Sequence, residues 1–239
     1  MGDIVELGPA VSYELDGEVA IVRLDDGKVN TIPPATVEAL VEALDRAESE
    51  ANALLLVGRD GKLSAGFDLE VMTSGVEQMR ALVGSGARLL MRLYGSPLPV
   101  VVACTGHALA MGALLLLAAD TRIGPDAPAK IGLNEVAIGM GLPVFAVELA
   151  HDRLDPRWFT ASVIQGRVFD PAGAVTAGYL DRLVAADQVA AVALDEARSL
   201  SGLRRGAVRE TKTRARGALI ERVLDGLDAD MAATGPPMP

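Results

Sequence analysis

Apolar and polar residues alternate from Val11 through Tyr13 to Leu15, the period of a strand with one buried face. Asp16-Gly17 supplies a turn, and Val19 to Leu24 continue as a second strand, which predicts a hairpin. From Pro33 the period changes: Val37, Leu40, Val41, Leu44 and Ala47 follow helical spacing, and Pro33-Pro34 suits the first turn. Ala53 to Val57 is a short continuous apolar run, the pattern of a strand buried on both faces. A glycine-rich turn from Gly58 to Gly66 leads to a second amphipathic helix with Met79, Leu82, Val83, Leu90 and Leu93 inward, ended by Pro97 and Pro99. Val100 to Ala103 is the next buried strand. Ala108 to Ala119, apolar on every side, predicts a core helix, and Thr121 to Gly124 a short strand after it.

Buried strands alternating with helices define an α/β class with mostly parallel pairing. The later chain differs. Asp170-Pro171 opens a short helix that Gly178 closes, and helical stretches over Val189–Leu200 and Ala207–Leu227 follow. With no internal repeat and no flexible linker, the expectation is an α/β core over residues 1–187 and a helical C-terminal region over 188–239, ending in a frayed Pro236–Pro239 tail.

Composition narrows the function classes. Half of the 239 residues are hydrophobic but only 3% are aromatic, so the core must be aliphatic. The net charge of −10 argues against a general nucleic-acid binder, which needs a basic face to displace phosphate counterions. The single cysteine, Cys104, excludes an intramolecular disulfide, and two histidines, His107 and His151, argue against a zinc site; no metal is expected. No apolar run reaches the roughly 20 residues a membrane span needs. The acidic start, Met1-Gly2-Asp3-Ile4-Val5-Glu6, lacks the basic residues of a targeting segment, so a cytoplasmic protein is expected.

Several common motifs fail. Gly27-Lys28 and Gly61-Lys62 lack the upstream glycine and following Ser/Thr of a phosphate loop. Gly139-Met140-Gly141 is half of a dinucleotide fingerprint, and no Gly-x-Ser-x-Gly elbow occurs. Three other segments carry more: Lys62 to Leu69, Thr105 to Ala113, and Lys130 to Glu135 with Gly139 to Pro143 after it. In the first two, small residues stand where a strand gives way to a helix. Unpaired N–H groups there can bind a negatively charged oxygen, and two such sites would form an oxyanion hole. The same small residues also serve plain close packing of strand on helix.

In order and spacing these segments resemble the crotonase, or enoyl-CoA hydratase/isomerase, superfamily. Ser64-Ala65-Gly66-Phe67-Asp68-Leu69 is similar to its Ser/Ala-Ala-Gly-x-Asp-Leu loop. Pro99 to Asp120 resembles its Pro-Val-x-Ala-x-x-Gly-x-Ala-x-Gly-Gly stretch with the Asp-x-Arg-Ile that follows, and Asp170 to Val184 its Ala-x-x-x-Gly-Leu-Val-Asp element. The resemblance implies a spiral of ββα units and assembly as a homotrimer or hexamer. It implies an acyl-CoA thioester as substrate, with CoA belonging to the substrate and no separate cofactor. It places the oxyanion N–H donors at Ala65 and Met111, where the family usually has Gly at the second position. Substrate contacts are expected from Ala65, Gly66, Phe67, Asp68, Leu69 and Leu114. The C-terminal helical region is expected to be shorter than is common in the family.

The family's hydratases hold water between two glutamates. Aligned on these motifs, one position is Leu114 and the other Glu135, so a single carboxylate remains. Leu114 can neither accept a hydrogen bond nor take a proton, which compromises activation of water. Isomerising a 3-enoyl-CoA to a 2-enoyl-CoA asks only for one base, and Ile131-Gly132-Leu133-Asn134-Glu135 resembles the delta isomerases, which use one glutamate there. The alternatives are an enoyl-CoA hydratase and an acyl-CoA-binding homologue without turnover. Apolar neighbours of Glu135 are expected to raise its pKa.

Other residues have plainer expectations. His107 packs, His151 lies at a solvated helix end and Cys104 is an inert buried thiol. Lys28, Arg59 and Lys62 are CoA-phosphate candidates or ordinary surface charges. The basic stretch Arg204, Arg205, Arg209, Lys212, Arg214 and Arg216 reads as a solvated face, a subunit contact or a phosphate-facing patch.

Overall fold

The computed structural model describes residues 2–235; the Pro236–Pro239 tail lies outside them. The chain opens with strand β1 (Val5–Gly8), then the expected hairpin of β2 (Val11–Asp16) and β3 (Val19–Leu24). Asp16 pairs with Val19, and Gly17 takes φ +61° as the first of the two turn residues, where a hairpin of this kind needs glycine. A two-residue strand β4 (Thr31–Ile32) leads to helix α1 (Pro34–Glu50), which starts with proline in its first turn and buries Val37, Leu40, Leu44 and Ala47. Val41 is half-buried at the edge of that stripe.

After α1 come β5 (Ala53–Gly58), β6 (Gly61–Ser64), β7 (Gly66–Phe67), α2 (Leu69–Ser74) and α3 (Val76–Tyr94). Then follow β8 (Val100–Ala103), β9 (Gly106–Leu109), α4 (Met111–Ala118), β10 (Thr121–Pro125) and β11 (Ile131–Gly132). The chain continues through α5 (Val144–Arg153), α6 (Pro156–Phe159), α7 (Pro171–Ala177), β12 (Arg182–Val184), α8 (Val189–Ser201) and α9 (Arg205–Ala233). None of the helices is long and apolar enough to cross a membrane among the described residues.

Seven strands form the main sheet in the order β1-β2-β3-β5-β8-β10-β12, antiparallel through β3 and parallel from there on. Its central strands are apolar throughout because both faces are covered. Val22, Leu54, Leu56, Val100 and Val102 face the core shared with α1, α3 and α4. The alternate residues Ile21, Leu55, Val57, Val101 and Ile123 face Val189, Ala193 and Ala197 of α8. The C-terminal helices are therefore part of the packing: α8 covers one sheet face, and α9 lies on α3 and α5.

Two expectations are corrected. The segment Gly58–Gly66 is not only a turn, since it contains β6, and Ala108–Leu109 belong to β9, so the core helix begins at Met111. These strands form a separate sheet, β11-β9-β6, whose pairs join residues far apart in sequence: Lys62 with His107, and Ile131 with Ala108. Strands this short leave no local period to read. Their backbones are so close that a side chain on Gly106 would overlap the Gly61 peptide.

The basic stretch is corrected as well. Its key members point inward and fasten α9 to the body. Lys212 is buried, donates to Leu98 O at 2.6 Å and pairs with Asp120 Oδ2 at 2.5 Å. Arg216 pairs with Asp120 Oδ1 and donates to Tyr94 O, both at 2.8 Å, with its guanidinium 4.3 Å from the Tyr94 ring centre. Asp120 also accepts the Val100 N–H at 2.7 Å, so one carboxylate joins the start of β8 to the last helix. Arg204, Arg209 and Arg214 stay exposed. Replacing Asp120 with Ala strands a buried ammonium and a backbone donor together. Asp120→Ala is expected to lose roughly 3–5 kcal/mol of stability, read as a shift in the urea midpoint, whereas Arg214→Ala stays near wild type.

Candidate active site

Helix α4 begins without a capping side chain. Its N-cap, Ala110, sits at φ +50° and ψ −120°, a conformation rare for any residue but glycine. The Ala110 N–H donates to Gly132 O at 3.1 Å and its carbonyl accepts the Leu114 N–H at 3.0 Å, which fixes the entry into the helix. The N–H groups of the first turn point off the end of α4 with no helical acceptor. Against this end lies the loop from Ser64 to Phe67. A Cβ on Gly112 would stand 3.0 Å from the Ser64 Cβ and overlap its carbonyl oxygen. Gly66, at φ +102°, would put a Cβ 2.9 Å from the Ala110 Cβ and 3.5 Å from the Met111 nitrogen. Ser64 braces this loop: its hydroxyl donates to Asn30 O at 2.7 Å and accepts the Gly66 N–H at 3.0 Å.

One of the two expected donors is already engaged. The Ala65 N–H is engaged, donating to Val29 O at 3.0 Å. On the short parallel pair β4-β7, Asp68 N donates to Ile32 O at 3.3 Å, so Ile32 carries the ladder bonds opposite Phe67. N–H directions alternate along a strand, and the Phe67 N–H therefore points away from β4. Asp68 is also occupied: its carboxylate accepts the Glu70 and Val71 N–H groups at 2.8 and 3.2 Å and caps α2. The engaged Ala65 N–H and the direction of the Phe67 N–H both depend on the register of β4 on β7, which no local pattern carries.

Beside these groups is a space of about 190 Å³ walled by three segments. Ala65, Phe67, Leu69 and Met72 form one side and Ala110 the helix end; Asn134, Glu135, Ile138 and Met140 form the other. The sequence had not pointed to Met72, Ala110, Asn134 or Met140 as walls. Met111 is fully buried, and Gly66 is buried within the loop. Leu114 is corrected: it is 2% exposed and packed in the core, off the pocket wall, since α4 is enclosed on every side.

Glu135 is the one carboxylate in this wall. It precedes a single 3₁₀ turn, Val136–Ile138, and its carbonyl accepts the Ile138 and Met140 N–H groups at 3.0 and 2.9 Å. Gly139 at φ +77° closes the turn and lets Met140 fold back to the pocket. Glu135 Oε2 is sealed from solvent and has no hydrogen-bond partner. Burial pushes its carboxyl up to about 7, against a smaller downward pull from its own backbone N–H. Asn134 Oδ1, Ser162 Oγ and Tyr179 Oη are likewise buried without a partner. A carboxyl at that pKa is half ionised near neutral pH and can both take and return a proton.

The remaining candidates lie elsewhere. His107 Nδ1 accepts the Lys130 N–H at 2.9 Å, an anchoring role between β9 and β11. His151 is exposed near the end of α5, edge-on to Phe159. Its neighbour Arg153 donates to Leu117 O and Ala119 O at 3.1 and 2.9 Å and so satisfies the C-terminus of α4. Cys104 is buried, and burial pushes its thiol up to about 12. Arg59 donates to Lys28 O at 2.6 Å and pairs with Asp25, which leaves Lys28 as the exposed cation of that loop. Among the described residues no cluster of His, Cys, Asp or Glu could hold a metal ion.

Known proteins resemble this chain in sequence and fold. Residues 14–233 match the family model described as enoyl-CoA hydratase/isomerase. The chain is 30% identical to human mitochondrial enoyl-CoA delta isomerase 1 over 218 residues, 89% of this chain and 72% of that protein. It is 32% identical to a putative enoyl-CoA hydratase of Thermus thermophilus over 192 residues, 77% of this chain and 74% of that one. Among solved structures, an enoyl-CoA hydratase/isomerase family protein from Pseudomonas syringae superposes with a TM-score of 0.93 at 42% identity, covering 96% of this chain and all of that one. The human mitochondrial delta3-delta2-enoyl-CoA isomerase superposes with a TM-score of 0.89 at 29% identity, covering 93% of this chain and 89% of that one. With the matched model spanning nearly the whole chain and the α/β spiral and C-terminal helices superposing throughout, this chain belongs to the enoyl-CoA hydratase/isomerase family and has the crotonase fold.

Proposed function

We propose that the protein isomerises 3-enoyl-CoA thioesters to 2-enoyl-CoA thioesters, with Glu135 as its single acid and base. The observation that carries this reading is that one carboxylate, and only one, faces the pocket among the described residues, while the helix position of a second is the core residue Leu114. Glu135 removes a proton from C2. The electron pair of that C–H bond becomes the C1–C2 double bond of a dienolate, and the negative charge moves to the thioester oxygen. The N–H groups of Phe67 and Met111 are the proposed donors to that oxygen. Glu135 then returns the same proton to C4, and the double bond ends between C2 and C3. No water, metal or redox cofactor enters the balance, and CoA stays attached to the substrate throughout.

Enclosure suits this proton transfer. A carboxylate sealed from solvent on one oxygen exchanges its proton slowly with water, so the proton taken from C2 is kept for C4. Hydration of a 2-enoyl-CoA would instead need a second group to orient water, and Leu114 provides none.

Glu135→Gln keeps the shape of the side chain but removes the base. Turnover of a 3-enoyl-CoA, followed by chromatography of the products, is expected to fall by roughly two to four orders of magnitude. Wild-type protein should convert the 3-enoyl-CoA and leave 2-enoyl-CoA unhydrated; rapid hydration of the latter favours a hydratase, and binding without product favours a non-catalytic acyl-CoA-binding protein.

The pH dependence has a definite sign. The base must be ionised, so kcat/KM is expected to drop about tenfold per pH unit below about 7 and to level off above it. Because the folded-state pKa is raised, ionising Glu135 opposes folding: its contribution to stability falls as pH rises from about 4.5 to about 7. Glu135→Gln should therefore gain more in Tm, relative to wild type, at pH 8 than at pH 4.

A homotrimer or hexamer is the proposed assembly. Val136, Ile138, Ile164 and Val168 are exposed apolar residues on neighbouring segments, with Gly166 packed against Ala137 and Val136. Light scattering is expected to give at least three times the 24.8 kDa chain mass at micromolar concentration, and a monomer there would defeat the assignment.

A further inference from the structure

Helix α3 carries two glycines where a neighbouring element presses into it. Gly84 faces Met231 of α9, and Gly86 faces the ring of Phe67. A Cβ on Gly86 would stand 2.7 Å from Phe67 Cε1, overlap Cζ and lie 3.7 Å from the Met111 methyl. The Phe67 ring is thus seated in a notch that exists only because position 86 has no side chain. Phe67 also lines the space that holds Glu135. It stands between that space and α3, with Met111 fully buried beside it.

We infer that Phe67 is the end stop for the acyl chain and sets a short-chain preference. This rests on the acyl-CoA reading above and gives it a substrate class. A cavity of about 150 Å³ lined by aliphatic side chains holds one benzene, six carbons. The space of about 190 Å³ here must hold the reacting carbons beside Glu135 and whatever follows them, so the acyl group fits to roughly six carbons. Beyond that length the chain meets the Phe67 ring, which cannot retreat because α3 is behind it. Removing the ring joins the pocket to the Gly86 notch and adds space for a comparable number of carbons. Residue 67 keeps its backbone N–H after a side-chain change, and the length limit is read from affinity, not from turnover.

The test uses the full chain and saturated straight-chain acyl-CoAs from butyryl to dodecanoyl, with affinity measured by calorimetry so that no turnover is required. Each methylene buried in the pocket tightens binding by about fourfold. For wild type the affinity is expected to climb to about hexanoyl-CoA and then level off or decline. For Phe67→Ala the climb continues to longer chains, and decanoyl-CoA binds at least tenfold tighter than to wild type. Gly86→Ala works in the opposite direction: its methyl drives the ring toward the pocket and shortens the longest chain that still gains affinity. It keeps the inference testable if Phe67→Ala does not fold. An unchanged length profile in both variants, or a wild-type climb that runs on to dodecanoyl-CoA, overturns the end stop while leaving the acyl-CoA reading intact. Failure of every acyl-CoA to bind wild type overturns that reading, and the end stop with it.

Discussion

The site depends on a backbone-to-backbone contact with no slack: the first turn of α4 pressed against the Ser64–Phe67 loop. Gly112 meets the Ser64 carbonyl, and Gly66 meets Ala110, at separations where neither partner admits another carbon. Such a contact sets position more rigidly than side-chain packing, because peptide groups cannot change rotamer to relieve it. It also explains the strained N-cap. Holding Ala110 at φ +50° costs about 1–3 kcal/mol, sustained by its hydrogen bond to Gly132 O and by a helix buried along its whole length. On the proposed reading the return is geometric: the N–H groups of Phe67 and Met111, from different elements, serve an oxygen that gains charge.

The electrostatic design divides the charges by location. Around the pocket, stabilisation is assigned to neutral backbone dipoles, and the only ionisable group in the wall is Glu135. A nearby cation would lower its pKa and weaken it as a base. The strong ion pairs stand elsewhere, where Asp120 holds Lys212 and Arg216, and Asp181 holds Arg122 at 2.5 Å. Those carboxylates bind elements together and have both oxygens partnered. Glu135 instead has an oxygen without a partner in a sealed position, which is what the proposed role as a base requires.

How much of this could be read from the sequence follows from the range of the interactions. The β2-β3 hairpin, α1, α3 and the central strands have local periods, because each buries a face against a layer that runs its full length. Residues of the three motif segments come together around one space, Glu135 among them. What stayed hidden depends on pairing between distant residues. The β6-β9 register, the start of α4 at Met111 and the occupied Ala65 N–H all follow from contacts across more than 20 positions. The basic stretch misled for a related reason: a run of Arg and Lys looks solvated until Asp120, nearly a hundred residues earlier, is brought beneath it.

The proposed chemistry turns on Leu114 and Glu135 taken together. Two carboxylates converging on one pocket interact, so one stays protonated to a higher pH and the other becomes more acidic. That split serves a reaction with separate acid and base roles, such as holding and activating water. A reaction that takes a proton and gives the same one back needs a single group of intermediate pKa instead. With Leu114 turned into the core, Glu135 has no carboxylate partner in the wall, and burial alone carries it to about 7. On the proposed reading the aliphatic residue matters for this reason: without a second charge in the wall, nothing drives Glu135 away from neutrality.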